Sequence, residues 1–421
     1  MAARLRALPL AILVTVVAAA VVVRWRREPA PDAGPAAGAT VTSSTADAGA
    51  GGLDQPLRGM PFPAGVAVPD GGPRMLHGEP RHTHRVAARG PRAPKVGWRA
   101  ELGSAVATQV TVSPDERTLY AGTLDGRLVA LSRDDGTKRW SVALGDRVYS
   151  TPFVADDGTI IAGSDAKKLV AVSPEGAVLW RLEVDGEADT APVSGKDGTI
   201  VFAAGSNVYA VRRRGDLAWR FATRGKIFTA PAVTDDGLVI VGSQDDRVYA
   251  INPQGGLAWS VDLGADVDGS AVVSDDGSIT VGTDKGELVR LDPKGTILWR
   301  TPVGGFVRGA LSLARNGDVL AGTYGPVPRM VRVAPDGTIR GSLAIKGTGA
   351  REFGIHGGPL EDAEGTLYFG AQDDTVYAVG LDGAVRWRFE TGGDVDAPLT
   401  MLSDGSLVVA SEDGTITMLL P

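Results

Sequence analysis

Three aspartates, Asp189, Asp268 and Asp396, each stand nine residues after a tryptophan in a chain that repeats itself. Carboxylates at equivalent points of a repeat converge in the fold. Together they could ligate a calcium ion, act as acid and base on a glycosidic bond, or pair with the cations of a partner. After the other tryptophans the same position holds Ala107, Tyr149, Phe228 and Arg308, and His356 takes the seventh slot after a six-residue insertion. Side chains this mixed do not repeat one structural role, so the set reads as a binding surface. The sixth repeat adds Arg329, in the longer loop "TYGPVPR", and Lys346 and Arg351, in "AIKGTGAREFGIHGG". With Arg308 these should gather into a basic sector facing the aspartates, a split that suits a partner of complementary charge.

The elements that position these residues follow from the period. Tryptophans fall at 98, 140, 180, 219, 259, 299 and 387, most of them 39 to 42 residues apart, and Gly341 occupies the slot between the last two. One repeat, "TAPAVTDDGLVIVGSQDDRVYAINPQGGLAWSVDL" (229–263), contains four short strands. They are separated by an Asp-Asp-Gly turn, an acidic loop and a Pro-x-Gly turn. Tight reversals need positive φ or a preset proline corner, so the paired aspartates are turn chemistry and not a calcium loop. Third strands such as Val248-Tyr249-Ala250-Ile251 are apolar on both faces and must be covered on both. Repeats of this length, built of strands that need neighbours on either side, predict a β-propeller.

The alanine, glycine turn and tryptophan of "ALSRDDGTKRW" (130–140), in a chain with seven such tryptophans, resemble the docking motif of the PQQ-like propeller family, the eight-bladed quinoprotein fold. No Trp-Asp pair of the WD type is present. The resemblance covers about 95–421. It implies an all-β, eight-bladed propeller of four-stranded antiparallel blades, with the tryptophans packed between blades as girdle and core. "KVGWRAEL" (95–102) is a lone tryptophan strand and "ITMLLP" a third strand without one, so the N-terminal strand should close the ring by completing blade eight. The propeller is assigned to 94–421 and should fold without the residues before it.

Residues 1–95 carry a net charge of +6, which leaves −13 for the remainder. A body so acidic excludes nucleic acid as a partner. The absence of cysteine excludes disulfides, thiolate chemistry and a lipidated cysteine. An uncharged run at 7–23, set between arginines, predicts a hydrophobic helix; residues 1–27 then form a membrane anchor, or a signal segment if cleaved after Ala20. Residues 28–93, rich in Pro, Ala and Gly, read as a disordered linker whose basic end, with His77, His82 and His84, stays solvated against anionic lipid or polymer.

The expected function is that of a non-enzymatic cell-envelope scaffold, similar to the BamB-like envelope propellers. It is anchored in the inner membrane with the ring in the periplasm, or secreted after cleavage. It needs no cofactor or metal and engages an envelope protein or polymer on the variable face. The partner-binding candidates are the ten residues Tyr149, Asp189, Phe228, Asp268, Arg308, Arg329, Lys346, Arg351, His356 and Asp396. The family resemblance also implies an alternative, a PQQ- and calcium-dependent quinoprotein dehydrogenase, for which the quinone does the redox chemistry.

Overall fold

A computed structural model of the chain describes residues 50–59 and 71–421. In it the repeats become eight four-stranded antiparallel sheets, the blades. Blade 4 is typical, with strands Ala232–Val233, Val239–Ser243, Arg247–Ile251 and Leu257–Asp262 paired in sequence order. Its third strand is covered on both faces as the apolar run requires, and Val248, Ala250 and Ile251 are fully buried. The core recurs between successive blades: Ile240, Val248 and Ala250 of blade 4 pack on Val273, Val281 and Val289 of blade 5. Blade 8 is completed from the other end of the chain. Strand Lys95–Glu101 pairs antiparallel with Thr415–Leu420, placing Trp98 opposite Met418.

The tryptophans tie neighbouring blades from outside. Each of the seven ring indoles donates its N–H to a main-chain carbonyl 33 to 36 residues ahead, except Trp387, which reaches Pro91 just before the closing strand. The next blade's turn must be glycine for the indole to lie on it: a Cβ on Gly255, where φ is +85°, would come within 2.7 Å of the Trp219 ring. All seven rings are half-buried, and each packs against the rim of an interblade core, so they serve as girdle and as the outer edge of the core together.

Blade 6 has no such ring, and residues 50–59 occupy the vacancy. Pro56 bridges Ser342 in parallel, Ser342 N–H donates to Gln55 O at 2.8 Å, and Leu57 is buried among Met330, Ile355, Leu367 and Phe369. A side chain at Gly341 would collide with the Pro56 carbonyl, so the glycine is what admits this segment.

The expected linker is corrected more deeply by residues 71–93, which form an ordered strap that lines the inside of the ring and then runs out to its rim, where Pro91 receives the Trp387 indole. The innermost strand of every blade is only two residues long, and its inward edge has no strand to pair with. In six blades its second residue, Val112, Val154, Val233, Val273, Leu313 or Glu361, donates its N–H to a strap carbonyl between Pro73 and His84. The strap's basic side chains meet the carboxylates of the blade turns. Arg74 pairs with Asp156 at 2.7 Å, Arg81 and Arg85 with Asp275 at 3.1 and 3.0 Å, and Arg92 with Glu364 at 2.6 Å. Backbone hydrogen bonds and ion pairs offset the ordering entropy here, so a count of apolar residues registers nothing. The apolar run at 7–23 lies outside the described residues, and among those no helix is long and apolar enough to cross a membrane.

The ring should therefore not be indifferent to what precedes residue 94. Six edge hydrogen bonds at about 1 kcal/mol each predict that a chain starting at residue 94 melts roughly 10 °C below one starting at 71, by calorimetry. Equal melting temperatures would contradict the strap's role. Trp259→Ala, which removes a half-exposed indole and one hydrogen bond, should cost about 2 kcal/mol in denaturant titration, less than a buried tryptophan would.

Candidate functional site

The positions nine residues past each tryptophan do meet. Ala107, Tyr149, Asp189, Phe228, Asp268, Arg308, His356 and Asp396, one from each blade, surround a single cavity of about 470 Å³ on the ring axis. They share it because each link enters its blade at the centre, and the first strand then carries the chain away toward the Asp-Asp-Gly turn. Hydroxyl groups fix the links: Thr229 Oγ1 accepts from Gly242 N–H at 3.0 Å, and Ser150 Oγ donates to Thr190 O at 2.9 Å in the next blade. Leu76 of the strap lines the bottom, packed on Ala191 and Ala230, so the cavity is a blind cup.

The five polar ring side chains are each held by a residue that sequence reasoning missed. Gln244 Nε2 donates to Asp268 at 3.3 Å, and Gln372 Nε2 to Asp396 at 3.1 Å. Asp284 takes Arg308 in a two-pronged pair, closest at 2.6 Å, and Asp165 hydrogen-bonds Asp189. In all four cases the partner lies 24 residues earlier, at the first position after the Gly-Ser, Gly-Thr or Gly-Ala that ends a second strand. That constant offset was readable. His356 is held differently, its Nδ1 lying 2.8 Å from the buried Tyr324 hydroxyl.

The cup has two unlike sides. On blades 2 to 4, Tyr149 and Phe228, 40% and 43% exposed, flank Asp189. Burial, with Asp165 beside it, pushes the Asp189 carboxyl well up from the usual carboxylate range, so the two carboxyls hold a proton between them more tightly than a free carboxylate would. On blades 5 to 8 carboxylates crowd together. Burial and then Asp284 raise Asp268 to about 6, while burial and then Asp396, Glu412 and Asp374 raise Asp394 to about 7.

The expected basic sector does not form around the cup. Arg308 lines it, but its charge is taken by Asp284 and Glu352. Arg351 lies outside, stacked 4.4 Å over the Phe306 ring. Arg329 bonds Ser342 at 3.0 Å and turns toward the 50–59 segment, and Lys346 is exposed elsewhere. Of the ten predicted residues, the structure thus gathers seven and leaves Arg329, Lys346 and Arg351 apart from the cavity.

A family model described as outer membrane protein assembly factor BamB matches residues 82–173, 165–254 and 244–341, together more than half of the chain. The chain belongs to the BamB family. A BamB of Escherichia coli K12 is 26% identical over 113 residues, which is 24% of this chain and 29% of that protein, so the chain matches less than a third of the curated relative's length. The fold extends further than the sequence likeness. The crystal structure of BamB from Moraxella catarrhalis superposes with a TM-score of 0.65 at 17% identity, over 78% of this chain and all of the other. A europium-containing methanol dehydrogenase also superposes at 0.65, with 13% identity, over 81% of this chain and 89% of the other. BamB-type and dehydrogenase propellers thus share this ring, and the cup must separate them.

The Asp165–Asp189 pair makes the cup sensitive to pH. An acid whose folded pKa is raised costs stability as pH climbs from its unfolded value toward its folded one, because the unfolded chain releases the proton first. Asp189→Asn keeps the donor and removes the titration. It should stabilise the protein by on the order of 2 kcal/mol at pH 8 and by progressively less as pH falls toward 4. A stability difference that does not change with pH, in denaturant titrations across that range, would contradict the shared proton.

Proposed function

We propose that this chain is a non-enzymatic binding scaffold of the cell envelope that captures a protein partner at the cup-bearing face. The observation that carries this reading is the contrast between a repeat that is nearly uniform outside and six kinds of side chain among the eight copies of one equivalent position inside. Uniform positions build the ring, and the varied ones are free to fit something that is not eightfold symmetric. The half-exposed faces of Tyr149 and Phe228 supply apolar contact in a concave site, and the Asp268, Asp396 and Glu412 side favours a partner loop that brings a basic residue beside an apolar one. The apolar run at 7–23 would hold the scaffold at the inner membrane, with the ring in the periplasm.

The quinoprotein reading rests on the fold shared with methanol dehydrogenase, and the cup's residues fit its cofactors poorly. All seven ring tryptophans are pinned on the outer girdle, so none stacks in the cavity. Asp189, Asp268 and Asp396 stand on blades 3, 5 and 8, each engaged by its own neighbour, and no group of three metal ligands forms among the described residues.

Photo-crosslinking tests the proposal directly. A benzophenone amino acid placed at Tyr149 or Phe228 in intact cells should trap an envelope protein far more strongly than one at Asp236, on the opposite face. Tyr149→Ala with Phe228→Ala should weaken that capture by roughly 10- to 100-fold. Equal trapping from both faces would overturn the assignment, and a chromophore retained after adding quinone and calcium to the purified protein would favour the dehydrogenase.

A further inference from the structure

The strap carries three of the chain's four histidines into the ring, at His77, His82 and His84. All three are almost fully buried, and all three have positive φ, 55°, 61° and 56°, a region that few non-glycine residues occupy and that the docked strap holds here three times over. The His77 and His84 rings stack with centroids 4.2 Å apart, and His82 meets His77 edge-on at 5.9 Å. Their nitrogens reach uncharged groups on several blades. His82 Nδ1 lies 3.1 Å from Ala271 O and His84 Nδ1 lies 3.1 Å from Gly358 O, while His84 Nε2, which accepts in a neutral ring, lies 3.2 Å from the Gln109 amide that also donates to Leu399 O. His77 Nε2 is buried with no partner.

We propose that this cluster makes residues 71–93 an acid-released plug: protonation of the imidazoles expels the strap and removes the floor of the cup. Stacked rings cannot both be charged without placing like charges 4 Å apart in a site closed to water. Among the described residues no carboxylate acts on them. The groups that shift them are burial and one another, opposed only by backbone carbonyls. The nearest ionic groups on the strap are already committed, Arg81 to Glu79, Asp235 and Asp275, and Arg85 to Asp275. On blades 6 and 7, Arg332 is paired with Asp318 and Glu361, and Arg315 lies against Glu361 and the strap's Val86 carbonyl. None of these can neutralise an imidazolium.

The sign follows from linkage. Burial holds His82 and His84 down to about 4, below the ordinary value of 6.5, and His77 is lowered further in the same direction. The bound strap keeps its full stability above pH 6.5 and loses it as pH falls toward 4, where the released strap takes up protons that the docked one refuses. The strap can leave without the ring unfolding, because it adds only Met75, Val86 and Ala88 to the edges of interblade cores whose buried members belong to the blades, and the closing strand Lys95–Glu101 pairs with Thr415–Leu420.

Hydrogen exchange read by mass spectrometry on the full chain tests this, after correction for the pH dependence of the chemical rate. Between pH 7.5 and 4.5 the strap and the inner-strand amides of Val112, Val233, Val273 and Leu313 should lose protection by on the order of a hundredfold, while third strands keep theirs. His82→Asn with His84→Asn, chosen because asparagine accepts positive φ, should reduce that loss at least tenfold. Unchanged protection of the wild type at pH 4.5, or an equal loss in the variant, overturns the proposal, the second outcome assigning release to the turn carboxylates. Should the variant fail to seat its strap at pH 7.5, the histidine Cε1–H resonances of the wild type decide. Protonation coincident with loss of protection supports the plug, and opening that precedes protonation overturns it.

Discussion

An inner strand of two residues in each blade leaves backbone N–H groups pointing into the ring with no strand to receive them, and the rest of the structure answers to that constraint. Eight open edges around a central channel must be met by water or by protein. Here the chain's own residues 73–84 meet six of them, running past the blades in order and accepting one hydrogen bond from each. The strap thereby closes the channel and makes the remaining space a cup. It also unites the two halves of the charge pattern. The basic strap and the acidic ring are complementary surfaces of one molecule, so the arginines that seemed free for lipid are occupied by Asp156, Asp275 and Glu364.

A second rule governs the outside. The ring is held at its girdle by an indole lying on the glycine of the next turn, and the position is strict enough that its vacancy has to be filled. Blade 6, with Gly341 in the slot, recruits residues 50–59 as a short parallel addition, with Leu57 supplying the buried bulk that tryptophan supplies elsewhere. The N-terminal region therefore grips the propeller twice, once on the outer rim and once in the channel. Function is left to the one surface that neither contact covers, where Tyr149, Asp189, Phe228 and Asp268 face open space.

Much of this was legible in the sequence because it is repetitive. The tryptophan spacing gave the blade count, the two-sided third strands required stacked sheets, and the unmatched strands at 95–102 and 415–420 implied closure. Counting nine residues from each of the seven tryptophans, and nine plus the insertion of six from Gly341, located one cavity-lining residue on each of the eight blades. What escaped notice has a common cause. The strap docks through main-chain carbonyls, which leave no trace in side-chain composition, and its histidines sit in backbone conformations that their identity does not announce. The 50–59 segment pairs with a strand nearly 290 residues away, so Gly341 could be recognised as a vacancy but its occupant could not. Arg329 and Arg351 were placed by loop topology alone, and local partners, Ser342 and the Phe306 ring, turned them from the cup. The offset of 24 residues between Asp284 and Arg308, and between Gln372 and Asp396, was present in the sequence and simply unread.

Because the chain contains no cysteine, the strap's position can be measured with thiols placed only where they are wanted. The most direct measurement is intramolecular bis-maleimide crosslinking of two cysteine pairs, Arg74→Cys with Asp156→Cys and Arg92→Cys with Glu364→Cys, analysed by peptide mapping at neutral pH. A strap seated in the ring predicts near-complete crosslinking within single chains for both pairs, independent of protein concentration. Crosslinks that form only between chains, or a strap end that stays unlinked while the protein is folded, would show that residues 71–93 do not close the channel.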